Sequence, residues 1–377
     1  MNILHLISSI GFFGAENVLL QLSKELLKTN CIPYIGIISD SYGSHFEFEG
    51  QFKKNNLKSR IFNCRFKFDL KTVLQIRNFV KKNKIQIIHS HGYKSNFYCL
   101  LASFGLGTKK IATCHNWLSS NKKMEFYESL DKILLRNFDN IIAVSDLLRN
   151  KLLISRIGRE KIVVINNGVD LACFQAKSNN PQAAKSRLLI KKSLGILEYD
   201  KVVGTVGRLS EEKGHIYLLQ AFEMLCKELP NVKLLFVGDG ILKKELQAAT
   251  IKLHMENKVI FAGTRDDIPE LLNVMDIFVL PSLVEAMPMA LLEAMASIRP
   301  IIATNVGSVG KLIKNNETGI LIEPGDPVAI KNSIIALFQN SENASALALK
   351  SFENVKNNFS SENMVKKYVS LYENLIS

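Results

Sequence analysis

The chain lacks the features that would place it at once. Its six cysteines (Cys31, Cys64, Cys99, Cys114, Cys173, Cys226) form no CxxC pair and follow no metal-ligand spacing. They are therefore expected as small buried thiols in a reducing compartment, not as a disulfide framework or a zinc site. No apolar run is long enough to cross a bilayer. The opening "MNILHLISSIG" carries neither a basic leader nor a small-residue cleavage site, so a cytoplasmic protein is expected. No G-x-G-x-x-G follows a strand-like run and no Walker lysine follows a glycine loop, which argues against the common dinucleotide and triphosphate fingerprints.

What is present is length, apolar content and unevenly placed charge. A chain of 377 residues, 47% of them hydrophobic, is enough for two ordinary domains and too much for one comfortable core. The net charge of +13 is concentrated at one end: residues 1–185 hold 27 Lys and Arg against 13 Asp and Glu, leaving +14, and the remainder holds 21 against 22. The first part is expected to face something anionic: a membrane with acidic lipids, a phosphorylated lipid, or nucleic acid. That part lacks the aromatic signature of an RNA-binding module, so charge alone speaks for nucleic acid.

Short apolar strands alternate with helical patterns twice along the chain. The first series runs from "NILHLIS" through a helix from about Ala15 to Lys28, with strands near 33–39, 59–62, 85–90, 109–115, 140–145 and 161–166. "QAKSNNPQAAKS" then reads as a linker. The second series starts at "KVVGTVG", with a helix from about Gly214 to Leu229 and strands at 232–238, 258–263, 276–281, 300–304 and 319–322. The fold class is α/β, with two doubly wound Rossmann-like domains at 1–180 and 181–360 and a C-terminal helix, 361–377, expected to pack back on the first domain. A cleft at the carboxyl ends of the strands is the expected ligand site.

Several residues carry chemistry. "PSLVEAMPMALLEAMA" is almost wholly apolar yet keeps Glu285 and Glu293, and a buried carboxylate needs a partner. Pro288 is tolerated at the start of a helix, which puts Glu285 on the loop before it and Glu293 inside it. Arg208 and Lys213 lie on the loop after the first strand of the second series, beside a helix start, where two cations can clamp a diphosphate. Gly238, in "FVGDG", marks a second turn that lets backbone approach a ligand.

As an ordered set these motifs resemble the retaining nucleotide-sugar glycosyltransferases of family four, which have the two-domain GT-B fold. "FFGAENVLLQLSKEL" resembles that family's acceptor loop and first helix, "IIHSHGYKSN" its histidine segment, and "AVSDLLRNKL" with "NNGVDLACF" its domain junction. "VGRLSEEKG" is similar to the diphosphate clamp, "FAGTRDDIPELLNVMDIFVLPS" to the base-binding strand, and "EAMPMALLEAMA" to the E-x7-E signature. The resemblance implies that Arg208 and Lys213 stabilise the leaving diphosphate with no metal ion or other cofactor. It further implies that Glu285, with the backbone at Ala286, Met287, Pro288 and Met289, holds the donor sugar, that Glu293 accepts from the ribose, and that Thr264 and Arg265 border the base. Both acids would then have ligand hydroxyls, not cations, as partners. Gly14, Ala15, Glu16, His91 and His115 would line the acceptor side. His89 is expected to be a packed neighbour, with the two "HSH" side chains on opposite faces of their strand.

The function so implied is transfer of a sugar, with retention, from a nucleoside-diphosphate sugar, UDP-linked by expectation, to a glycan or lipid-diphosphate-linked acceptor in cell-surface polysaccharide synthesis. Basic helices around 71–84 and 122–136 would contact an anionic membrane on its inner face. The alternatives are a nucleotide-sugar 2-epimerase or phosphorylase on the same fold, or a basic nucleic-acid-binding protein. Two departures touch the family pattern: Arg299 where a glycine is common, and "GSVGK", in which Ser308 replaces a glycine and Lys311 an acid.

Overall fold

The computed structural model describes residues 1–8, 14–40, 45–65, 69–115, 122–175 and 181–377, with backbone alone at 40, 45–48, 122–126 and 181–183. The chain forms two compact units, Met1–Gly168 with Ser361–Ser377, and Val169–Ser360.

In the first unit the described strands are β1 (Asn2–Ile7), β2 (Ile32–Asp40), β3 (Lys58–Cys64), β4 (Ile87–His91), β5 (Lys109–Cys114), β6 (Asn140–Ala143) and β7 (Ile162–Val164). They form one parallel sheet in the order β3-β2-β1-β4-β5-β6-β7. The second unit holds β8 (Lys201–Val206), β9 (Val232–Val237), β10 (Val259–Gly263), β11 (Ile277–Leu280), β12 (Ile301–Thr304) and β13 (Ile320–Ile322). Their parallel order is β10-β9-β8-β11-β12-β13. Helices cover both faces, so central strands such as β11 and β12 are buried throughout and read as unbroken apolar runs. Each sheet reverses its direction of growth once, between β1 and β4 and between β8 and β11. Such switch points open a crevice at the carboxyl ends of the strands, and the residues singled out in the sequence fall beside them.

The C-terminal helix Ser361–Ile376 belongs to the first unit, where it packs on the helix Gly14–Leu26. Its apolar stripe buries Met364, Val365, Tyr368 and Tyr372, each contributing about 1.5–3 kcal/mol by removal from water. The division between units falls at Gly168/Val169 rather than at residue 180, because the short helix Leu171–Gln175 already packs against the helix Met289–Ala296 of the second unit. The expected linker is also shorter than its composition suggested. Residues 176–180 lie outside the described residues, but Pro181–Ser193 is a helix, with proline at the first position where its missing N–H costs nothing. Of the cysteines, Cys31, Cys64, Cys99 and Cys114 are buried and Cys226 is half-buried; Cys173, expected inside, is exposed.

Candidate active site

In the second unit the loop after β8 carries Arg208 and Lys213, and the loop after β11 carries Glu285, so the switch point brings them together across 72 residues of sequence. Lys213 Nζ donates to Glu285 Oε1 at 2.6 Å, and Ser282 Oγ donates to the same oxygen at 2.7 Å. Glu285 is therefore buried with a cation as partner, which corrects the expectation that only ligand hydroxyls would serve it. The reason is proximity: an ammonium at the end of the neighbouring strand satisfies a carboxylate that burial would otherwise make costly. Arg208 Nη2 meets Glu212 Oε1 at 2.7 Å, and Ser210 Oγ also donates to that oxygen at 2.7 Å. The Arg208 side chain is half exposed.

The Glu285 loop is held from both sides. Leu283 N and Val284 N donate to Glu212 O at 2.8 and 3.3 Å, and Ser308 Oγ donates to Ala286 O. Gly307 has φ +57°, and a β-carbon there would strike the Glu285 carbonyl, so only glycine fits. Ser308, a departure from the family pattern, thus anchors the loop. Ala286, Met287, Pro288 and Met289 are all buried. Pro288 caps the helix Met289–Ala296, which is apolar on every side because it is enclosed, and Glu293 is buried within it. Pro288 has no N–H, so donors from this turn come from its neighbours.

Other expected donor residues follow strands β9 and β10 of the same sheet. Gly238 N donates to Gly263 O at 2.8 Å, which joins the turns after β9 and β10. Thr264 is exposed, and Arg265 is bound bidentately by Asp267 at 2.7 and 2.5 Å, so its backbone is freer to meet a base than its guanidinium. Lys311 is exposed. Arg299 lies at the opposite, amino end of the strands, where it donates to Ser297 O at 2.9 Å and to Met275 O at 3.2 Å. Burial pulls its pKa down to about 10, and its partners mark it as a structural residue remote from Glu285.

In the first unit, "SIGFFG" lies largely outside the described residues; Gly14, Ala15 and Glu16 open the helix Gly14–Leu26, exposed, half-buried and buried in turn. His91 closes β4 and His115 follows β5. His89 and His91 share one face of the sheet, with ring centroids 4.3 Å apart. This corrects the expectation of opposite faces: strand side chains alternate with period two, so residues i and i+2 point the same way. His89 is indeed enclosed, its Nδ1 2.7 Å from Tyr372 Oη and its Nε2 2.7 Å from Thr113 Oγ1.

Sequence reading missed His5 on β1, which pairs with β4 at the switch point. His5 Nδ1 lies 3.2 Å from His91 Nε2, and His91 Nδ1 lies 3.0 Å from His115 Nε2. Its only early signal was a lone polar residue inside the apolar run "NILHLIS". Burial pulls the pKa of His5 down to about 3 and that of His115 to about 4, and it holds His89 and His91 well below the imidazole range, reinforced by neighbouring rings. All four are neutral at pH 7. Nitrogens of His5, His89 and His91 come within 4.8 Å of one another, a spacing that could hold a metal ion. Both nitrogens of His89 are engaged by Tyr372 and Thr113, and among the described residues no carboxylate joins the cluster, so the donor set fits a hydrogen-bonded network better.

The basic helix Leu70–Lys82 exposes Lys71, Lys81 and Lys82 together with Leu70 and Leu74. In the helix Lys122–Leu135, Leu130 and Ile133 are exposed, whereas the expected contacts at Lys122, Lys123 and Phe126 fall outside the described side chains. Among the described residues no helix is long and apolar enough to cross a membrane.

Comparison with known proteins accounts for both units. The family model "Glycosyltransferase Family 4" matches residues 13–172, and "Glycosyl transferases group 1" matches 186–353. The chain is 29% identical over 284 residues to the Escherichia coli UDP-Gal:alpha-D-GlcNAc-diphosphoundecaprenol alpha-1,3-galactosyltransferase, covering 71% of this chain and 70% of that protein. It is 27% identical to the capsular polysaccharide biosynthesis glycosyltransferase CapM of Staphylococcus aureus, covering 82% of each. In structure it is similar to Anabaena HepE in complex with UDP-glucose, with a TM-score of 0.87, 22% identity, and coverage of 99% of this chain and 100% of that one. These likenesses favour a transferase over the epimerase, phosphorylase and nucleic-acid-binding alternatives. With two parallel sheets and a family match on each unit, the chain belongs to the family-four-type glycosyltransferases of GT-B fold.

Proposed function

We propose that the chain transfers a sugar from a UDP-sugar to a lipid-diphosphate-linked or polysaccharide acceptor, with retention of configuration and without a metal ion. The observation that carries this reading is the joining of Lys213 to Glu285 at the β8/β11 switch point, with Arg208 on the same loop. A donor arriving there displaces two ion pairs, Lys213–Glu285 and Arg208–Glu212, in favour of its own contacts. Its diphosphate takes Lys213 and Arg208, which neutralise charge as the nucleotide leaves, and its sugar hydroxyls donate to Glu285. Glu293 is assigned to the ribose hydroxyls, and Thr264 and Arg265 to the base through their backbone. UDP is favoured because UDP stands in the names of the Escherichia coli relative and of the HepE complex.

Gly14, Ala15, Glu16, His91 and His115 are assigned to the acceptor side. Retention is read as front-face displacement: the acceptor O–H proton passes to a departing phosphate oxygen while the new C–O bond forms and the old one breaks. The excess positive charge of residues 1–185, with Leu70 and Leu74 exposed beside Lys71, Lys81 and Lys82, supports peripheral attachment to an anionic inner membrane face from the cytoplasm.

Release of UDP from a panel of UDP-sugars tests the donor half. One sugar should be hydrolysed slowly, and Arg208→Ala and Glu285→Ala should each lower that rate by about 10²-fold or more. UDP should also raise the melting temperature, by an amount that keeps growing with the logarithm of its concentration above Kd. Failure of every UDP-sugar to bind would sink the assignment of UDP. Activity that survives chelation and is unchanged by added divalent ions is the outcome expected for a metal-free site. Retention on anionic but not neutral vesicles, lost as salt rises, is the outcome expected for the membrane face.

A further inference from the structure

His5, His91 and His115 form a chain of three neutral rings joined at two points: His5 Nδ1 to His91 Nε2, and His91 Nδ1 to His115 Nε2. A neutral imidazole has one N–H and one lone pair. Both bonds must then run in the same direction, and the tautomer of one ring fixes the other two. If His5 donates, all three rings carry the proton on Nδ1, His5 Nε2 is a bare buried lone pair, and His115 Nδ1–H faces outward. If His115 donates, all three carry it on Nε2, His5 Nε2–H is buried, and His115 Nδ1 offers a lone pair.

The geometry points to the second arrangement. Neutral histidine in water prefers the Nε2–H form, and this direction puts all three rings in that form where the other puts none. Its cost is one buried N–H, at His5 Nε2, the atom that has no hydrogen-bond partner among the described residues. His89 cannot divert the chain, since Tyr372 and Thr113 hold both its nitrogens. His5 is fully enclosed and His91 nearly so, whereas His115 is only half-buried, so the chain has one closed end and one open end.

We propose that His5 is a positioning residue for glycosyl transfer: it accepts from His91 Nε2–H, and through His91 it holds His115 as a hydrogen-bond acceptor for an O–H of the incoming acceptor other than the one that attacks. This deepens the reading that His91 and His115 border the acceptor and rests on it. The His115 lone pair orients the acceptor through a neighbouring hydroxyl, or through the second O–H of the water in hydrolysis, and the attacking O–H keeps its proton for the phosphate oxygen as before.

Two-bond 1H–15N correlation spectra of 15N-histidine-labelled protein at pH 7 report the tautomer of each ring, and the chain has only seven histidines to assign. His5, His91 and His115 should all show Nε2–H. His5→Leu removes the acceptor and should convert His91 and His115 to tautomer mixtures. It should also lower kcat for UDP-sugar hydrolysis, in which water takes the acceptor's place, about tenfold at unchanged KM. His5→Asn, whose Oδ1 can stand near the position of Nδ1, should restore the Nε2–H forms and most of the rate. Nδ1–H or a cation at His91 or His115 in the wild type overturns the proposal. So does His5→Leu with both tautomers unchanged, or one bound zinc per chain on the wild type. If His5→Leu does not fold, the wild-type spectrum and His5→Asn still decide. The spectra need no substrate, so absence of UDP release would sink the proposed function and leave this result standing on its own.

Discussion

Glu285 and Lys213 are unequal partners, and the inequality has measurable consequences. The carboxylate is buried, whereas a quarter of the Lys213 side chain reaches water. Removing Lys213 leaves an acid enclosed with only the Ser282 hydroxyl for company; removing the charge of Glu285 leaves an ammonium that can turn back to solvent. Lys213→Ala is expected to destabilise the second unit by about 2 kcal/mol, below the full cost of orphaning a deeply buried charge because the ammonium is partly screened. Glu285→Gln should change stability by less than about 1 kcal/mol. Both should lose UDP release, so urea titration beside the UDP assay separates folding from function. Equal stability losses would show that Ser282 and water already satisfy the acid. Arg299 makes the opposite case: Arg299→Gly, which restores the common family residue, should cost about 2–3 kcal/mol by stranding the Met275 and Ser297 carbonyls, and should leave the choice of UDP-sugar unchanged. A changed donor preference would argue for coupling through the sheet.

Among elements, the C-terminal helix is tied to the histidine face by Tyr372 Oη, 2.7 Å from His89 Nδ1, and by Tyr368, which bonds Thr113, inside an apolar seam. Tyr372→Phe should keep the packing, orphan His89 Nδ1, and lower the stability of the first unit by about 1–3 kcal/mol; no change in thermal or urea midpoint would mean that water or a rotated ring replaces the hydroxyl. Strands were legible because both sides of each sheet are covered, which turns β11 and β12 into apolar runs that periodicity finds easily. Pro288 fixed the start of the helix that buries Glu293. Pairings between distant segments were not legible in the residues themselves. Lys213 meets Glu285 only because β8 and β11 are neighbours, and His5 meets His91 only because β1 and β4 are. Composition misled at "PQAAKS", which opens the helix Pro181–Ser193, and the two histidines of "HSH" were separated by a miscounted strand period.

At the scale of the whole molecule the two units should respond differently to acid. Four histidines of the first unit have depressed pKa values, with burial the main cause; in the second unit His215, drawn down to about 4 by burial, is the one described case. The sign follows from proton counts. Below about pH 6.5 the unfolded chain binds protons that the native rings refuse, so stability is fully present above that pH and is lost as pH falls toward the folded values near 3 and 4. At pH 5 each such histidine costs up to about 2 kcal/mol, set by the gap between pH 5 and the unfolded pKa. Most carboxylates are still ionised there, so the histidine contribution stands apart from general acid unfolding. Calorimetry between pH 7 and pH 5 should show the transition of the first unit moving down further than that of the second, and His5→Asn should shrink the difference by removing one of the four groups. Parallel movement of both transitions, or a steeper fall in the second unit, would mean that protons are taken up elsewhere and that the histidine face tolerates charge.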